Sequence, residues 1–279
     1  MPEQDRDLLK LMNAAGFLFQ LRVQDEIERT SPTHQKSVVA REHRWIDPET
    51  GREGFIDLVV TTGTNGKMVV ECKRVRDSEW IFLVPTGSDK TQRARVLWTK
   101  KFDETRQGSA WNQFMLTPPS VESEFCIVRG QDRDQQPMLE RLSSIVLRSA
   151  EALAAEELGY NSAVGWTGLR FYFPVIVTTA TLRVCRFQPT DIDLLSGELS
   201  DAEFEEVPFI RFTKSLSSGF STSRPPETLS DAARESQRTV FVINVKGLST
   251  VLLGSWQFSP PEMGRAWPWD LPAWNNMDG

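Results

Sequence analysis

The run over residues 54–77, GFIDLVVTTGTNGKMVVECKRVRD, constrains this chain more than any other. It reads as two apolar strands joined by a Thr-Asn-Gly turn. Asp57 sits in the first strand, and Glu71 and Lys73 sit in the second. Strands covered on both faces are built from Val, Ile and Leu and exclude charge. Three charges among Ile56, Leu58, Val59, Val60, Met68, Val69 and Val70 therefore need a physical cause. A divalent-metal site with an attached lysine is one such cause.

The turn sets the geometry. A three-residue loop is commonly a type I turn closed by one residue in the left-handed region. Thr64-Asn65-Gly66 suits that form, with Gly66 at positive φ. Gly63 then pairs with Lys67, Val59 faces Glu71, and Asp57 faces Lys73. Side chains alternate with period two, so Asp57, Glu71 and Lys73 share one face. Glu71 lies diagonal to Asp57, roughly 7–8 Å away by backbone. One hard cation gripped by both carboxylates bridges that gap. A two-residue Asn-Gly turn would instead put Asp57 and Glu71 on opposite faces.

The residue types fit the chemistry. Mg²⁺ takes oxygen ligands and keeps several waters, and two carboxylates leave positions for a phosphate and an attacking water. Lys73 is placed to orient that water or to offset charge on phosphorus. The backbone carbonyl of Cys72, between the two, is a further candidate ligand. The competing reading is a solvated hairpin face with a cross-strand Asp57–Lys73 pair. Glu-x-Lys alone is too common to decide between them; the strand Asp, the tight turn and the apolar run before Glu71 carry the weight.

Ile56-Asp57, thirteen residues, then Glu71-Cys72-Lys73 resembles the PD-(D/E)xK nuclease superfamily, the restriction-endonuclease-like fold. The resemblance covers the motif hairpin well and its flanks loosely, with Ile56 where the family name has Pro. It implies an α/β fold with a central mixed sheet flanked by helices, in the order helix, three antiparallel strands, helix, strand. It implies Mg²⁺ as cofactor, with Mn²⁺ as substitute, and hydrolysis of DNA rather than RNA. It also implies a prokaryotic role in defence or restriction. Asp57 and Glu71 become metal ligands and Lys73 the catalytic lysine. The family's helix acid falls on Glu26, with Glu28 and Glu42 as rivals.

On the N-terminal side of the hairpin, residues 3–29 read as a helix, with Leu8, Leu11, Met12, Ala15, Leu18 and Phe19 at helical spacing. Gly16 weakens it, and residues 17–23 are apolar enough for a strand. Residues 37–46 read as the first strand, and residues 47–51 as a turn. His34 and His43 read as surface or strand filler. Residues 78–134 look like an insertion holding Trp80, Trp98, Trp111 and the basic residues Lys90, Arg93, Arg95, Lys100 and Lys101. Those bases are the weaker candidates for nucleic-acid contact, since Arg, Lys and Trp together hold phosphates and stack bases. The alternative is a loop whose tryptophans simply pack. Residues 137–158 are the strongest helix, with Arg141 and Arg148 on its polar side. Residues 169–178 form a nearly continuous apolar strand, and residues 181–187 another.

Residues 1–190 are thus expected to form the core and residues 191–279 an extension packed on it. In that extension, residues 208–214 and 239–245 read as strands, residues 247–256 as a short helix, and residues 215–238 as a polar loop. The tail from Ser259, with Trp267, Trp269 and Trp274, is expected to dock on its own chain or a partner. The first residues show no signal-peptide pattern, no eighteen-residue apolar run exists, and the three cysteines are widely spaced. A reducing cytoplasm and no membrane are the expectation. The net charge of −6 is unusual for a protein that coats nucleic acid. It points to a local basic strip, and to a second copy or a partner subunit.

Overall fold

The structure is a computed structural model. It describes residues 3–47, 50–63, 65–76, 78–101, 107–130, 137–160, 168–215, 227–254 and 257–258. Two helices open the chain, α1 (Glu3–Ala14) and α2 (Phe17–His34). Three antiparallel strands follow, β1 (Ser37–Ile46), β2 (Glu53–Thr62) and β3 (Gly66–Lys73). Next come β4 (Glu79–Pro85), β5 (Thr91–Lys101), β6 (Gln107–Ser120), β7 (Glu122–Ser123) and β8 (Cys126–Val128). The long helix α3 (Met138–Gly159) leads into β9 (Gly168–Thr178) and β10 (Thr181–Phe187). The chain then runs through β11 (Glu203–Glu206), β12 (Phe209–Ser215), α4 (Leu229–Ser236), β13 (Gln237–Asn244), α5 (Leu248–Gly254) and β14 (Gln257–Phe258).

The architecture is α/β, a mixed sheet flanked by helices. Its path is β1-β2-β3-β9-β13-β12-β7. β9 lies at the centre. It pairs in parallel with β3 from Gly66↔Phe171 to Lys73↔Thr178. On its other side it pairs with β5 along its first half and with β13 along its second. A strand with neighbours on both edges and cover on both faces must be apolar throughout, which explains the sequence FYFPVIV. One face packs under α3 through Leu142, Val146, Leu153, Val69 and Ile176. The other packs under α2 and α5 through Val23, Ile27, Val70, Val175 and Leu252. A second sheet, β11-β10-β4-β8, lies beside it.

Several expectations change. Residues 3–29 are two helices broken at Ala15-Gly16, and the second runs on to His34. Leu8, Leu11 and Met12 of α1 are exposed, so that stripe does not feed the core. The segment 78–134 is strand-rich: β5 is a member of the central sheet through β9. Trp80, Trp98 and Trp111 are buried in it. Beyond residue 190, β13 hydrogen-bonds to β9, so these residues complete the sheet as well as pack on it. Within residues 215–238, Leu229–Ser236 is helical, capped by Thr228, whose Oγ1 accepts from the Asp231 N–H at 3.1 Å. The Trp-rich tail from Ser259 lies outside the described residues.

One buried ionic knot joins α3 to the sheet. The Glu157 carboxylate accepts from Lys67 of β3, from Arg170 at 2.6 Å and from the Tyr172 hydroxyl at 2.7 Å, both of β9. Removing it leaves two cations facing each other in a mostly buried site. Glu157→Ala is expected to cost about 3 kcal/mol in urea-induced unfolding, as losing one member of a buried ion pair does. An unchanged midpoint would show that the knot contributes nothing.

Candidate active site

The motif hairpin forms, with a register two residues away from the expected one. Val59 pairs with Val69 and Thr62 with Gly66, so the turn falls between Thr62 and Gly66 rather than between Gly63 and Lys67. Gly63 takes the positive φ, at 62°. Gly66 is needed for another reason: a Cβ there would lie 2.6 Å from the Thr62 methyl and 2.7 Å from its carbonyl oxygen. A shift of two is one full side-chain period, so the faces are preserved. The ladder is regular up to Leu58↔Val70, and one further step sets Asp57 opposite Glu71.

That further step is not a regular rung. The Cys72 backbone N–H donates to Asp57 Oδ2 at 2.6 Å. The side chain thus takes an amide next to the place where β2 and β3 stop pairing. Asp57 is further fixed through its carbonyl, which accepts from Gln20 Nε2 of α2 at 3.0 Å. The same nitrogen donates to Glu42 Oε1 at 2.6 Å. Glu42 is held at φ 48°, a left-handed conformation that a glutamate rarely adopts. Gln20 therefore ties α2, β1 and β2 together beside Asp57.

The electrostatics follow from burial. Desolvation pushes the Asp57 carboxyl up to about 6; the Cys72 amide bond opposes this, the Glu42 charge adds to it, and Lys73 opposes it. Desolvation likewise pushes Glu71 up to about 7, and the neighbouring Asp57 charge raises it further, against Lys73. Two carboxylates crowded in a poorly solvated place want a shared counter-charge. Lys73 provides part of one. The Cys72 thiol is buried and its pKa is raised by desolvation, so it is a poor thiolate donor.

Among the described residues, no group of three or more His, Cys, Asp or Glu side chains is arranged to hold a metal. The site is a carboxylate pair with Glu42 acting on both members. That donor set suits Mg²⁺, which binds through one or two carboxylates plus waters and phosphate oxygens. It does not suit Zn²⁺, which takes a closed set of nitrogen and sulfur ligands. Cys72 reaches the pair through its N–H, which donates to Asp57.

The structure does not bring Glu26 to the pair. Its carboxylate accepts from Arg22 at 2.8 Å, from Arg29 at 2.7 Å and from the Ser249 hydroxyl at 3.4 Å. The Arg29 and Arg22 bonds hold its pKa below the usual range. Six residues separate Glu26 from Gln20, and six residues turn a helix through about 240° beyond one full turn. The two cannot face the same site. Gln20 is what the sequence reading missed. Its signal was a polar side chain in the buried stripe Gln20, Val23, Ile27.

Lys90 and the basic residues of β5 do not form one surface. Arg95 is buried against Glu235, 3.3 Å away, and Lys101 donates to the Tyr160 carbonyl at 3.1 Å. Lys100 is half-buried, and its pKa is lowered by desolvation. Only Lys90 and Arg93 of this set are exposed. His43 is paired with Glu156 at 2.8 Å, on α3. Comparison of the chain with protein-family models, with curated proteins and with solved structures returns no match.

The raised carboxyls have a thermodynamic sign. Both bind protons more tightly folded than unfolded, from the ordinary value of about 4 up to the folded values. The stability that this pair contributes is therefore fully present below about pH 4 and is lost as pH rises through about 6 and about 7. In EDTA, the melting temperature of the wild type relative to that of Glu71→Gln is expected to drop between about pH 4 and about pH 7, and Mg²⁺ should restore it at the upper end. Glu71→Gln should flatten the profile and remove the Mg²⁺ response. Each kcal/mol recovered is worth about 2–4 °C in a chain near this size. A wild-type melting temperature indifferent to Mg²⁺ would rule out the pair as a cation site.

Proposed function

We propose that this chain is a Mg²⁺-dependent nuclease of the PD-(D/E)xK, restriction-endonuclease-like type. Its substrate is the phosphodiester backbone of DNA rather than RNA. The observation that supports this most is the buried Asp57–Glu71 pair with Lys73 two residues on, where two raised carboxyls call for a cation. Element order adds partial support: α2, β1–β3, α3 and β9 come in the order the family core has, with β4–β8 inserted between β3 and α3 and β5 joining the central sheet. Asp57 and Glu71 would hold the ion. Bound there, Mg²⁺ supplies a Lewis acid for the phosphate and a more acidic water. Lys73, half-buried at the strand end, offsets negative charge on the phosphate in the transition state. Gln20 keeps Asp57 in place through its carbonyl. A role in prokaryotic defence or restriction follows from the resemblance alone.

A second reading is a catalytically silent nucleic-acid-binding or scaffold subunit. It draws on the absence of a third ligand side chain among the described residues. Supercoiled plasmid and labelled duplex oligonucleotides, incubated with Mg²⁺ or Mn²⁺, separate the two. The wild type is expected to cut, EDTA to stop it, and Asp57→Ala and Lys73→Ala each to lower the rate by about 10²–10³. Cleavage equal to wild type in both variants would end the proposed mechanism. Mg²⁺-dependent stabilisation with no cleavage of any substrate would favour the silent subunit.

A further inference from the structure

A basic ledge continues from the end of β3. Lys73, Arg74, Val75 and Arg76 leave the strand in succession. Val75 is tethered on both sides of its peptide unit: its N–H donates to Thr179 Oγ1 at 2.8 Å, and that hydroxyl donates back to the Val75 carbonyl at 2.7 Å. The Val75 side chain packs against the core under α3. Arg74 and Arg76 flank it: Arg76 is exposed, Arg74 is half-buried, and both line the same pair of clefts.

Two clefts share these arginines. One, of about 330 Å³, is lined by Ala14, Gly16, Cys72, Lys73, Arg74 and Arg76. The other, of about 530 Å³, is lined by Arg74 and Arg76 with Ser78, Glu79, Arg129 and the hydroxyl residues Thr179 and Thr181. The first cleft therefore reaches the motif lysine and the second leads away from it. Glu79 is the only acid on either wall among the described residues. It is shared by two guanidiniums, Arg129 at 2.8 Å and Arg183 at 2.7 Å. Arg74 and Arg76 make no ion pair with any described residue. Four guanidiniums against one carboxylate, two of them outside any ion pair with a described residue, make a local field opposite in sign to the chain's net charge of −6.

We infer that Arg74, Arg76 and Arg129 form a phosphate track that seats the backbone of a DNA strand beside Lys73 and the carboxylate pair. The inference rests on the nuclease reading for its substrate class. Arginine suits the task because its planar fork grips phosphate oxygens in pairs. Ser78, Thr179 and Thr181 add neutral donors along the same wall. The track replaces the bases of β5 as the main nucleic-acid surface.

The test is binding of a fluorescent duplex oligodeoxynucleotide in EDTA, followed by anisotropy over a salt series. Arg74→Ala/Arg76→Ala is expected to weaken binding at least tenfold at about 0.1 M salt. The slope of log affinity against log salt should fall by about two, one for each phosphate no longer neutralised. Arg74→Lys/Arg76→Lys should restore most of the affinity, and Lys90→Ala/Arg93→Ala should leave affinity within about twofold. Unchanged melting temperatures show that the variants fold. Wild-type affinity and slope in the double alanine variant would overturn the track, even where plasmid cleavage upholds the nuclease reading. Binding that depends on the arginines, with no Mg²⁺-dependent cleavage, would uphold the track and overturn the nuclease reading.

Discussion

The parallel ladder between β3 and β9 is the constraint on which the rest of this molecule depends. Eight rungs run from Gly66↔Phe171 to Lys73↔Thr178. A parallel pair needs a crossover, and α3 supplies it, entering through Met138 and leaving after Gly159. The ladder fixes where β3 ends relative to the sheet. It thereby fixes Glu71 and Lys73, the Thr179 tether and the arginines beside Val75. Open α/β sheets bind ligands beyond the carboxyl ends of their parallel strands, and the candidate site lies at that end of β3.

The site itself is a balance of opposing costs. Burying Asp57 and Glu71 disfavours their charged forms, and their mutual repulsion adds to that. The fold offsets the cost with one short amide bond from Cys72 and with Lys73. It does so incompletely, and both carboxyls stay above the usual carboxylate range. Glu42 in a left-handed conformation and Gln20 with a divided hydrogen bond are further signs of constraint at the same place. Local strain that gathers around one cluster is characteristic of sites built for binding or chemistry.

Much of this was legible in the amino-acid order, for identifiable reasons. Long apolar runs and strong helical periodicity placed the strand at residues 168–178 and the helix at residues 138–159 to within about a residue. The hairpin register was off by two, yet the shared face survived, because two is the period of a strand. What stayed hidden depends on partners distant in sequence. Arg95 reads as a surface base until Glu235 is brought beside it, 140 residues on. The placing of Arg74 and Arg76 depends on Thr179, 104 residues beyond Val75. Neither of these pairings leaves a periodic trace.

At the end of the ladder, Thr179 takes over a task that backbone performs elsewhere. Its hydroxyl accepts from one side of the Val75 unit and donates to the other, as a facing peptide group would. The regular rungs stop at Lys73↔Thr178, and beyond them the Thr179 N–H still donates to the Lys73 carbonyl at 3.3 Å. A single oxygen acts as a surrogate strand and carries the pairing past the last peptide that can supply it. The segment bearing the arginines is thus held like a sheet edge while remaining outside the sheet, with its side chains free to meet a ligand on the open side.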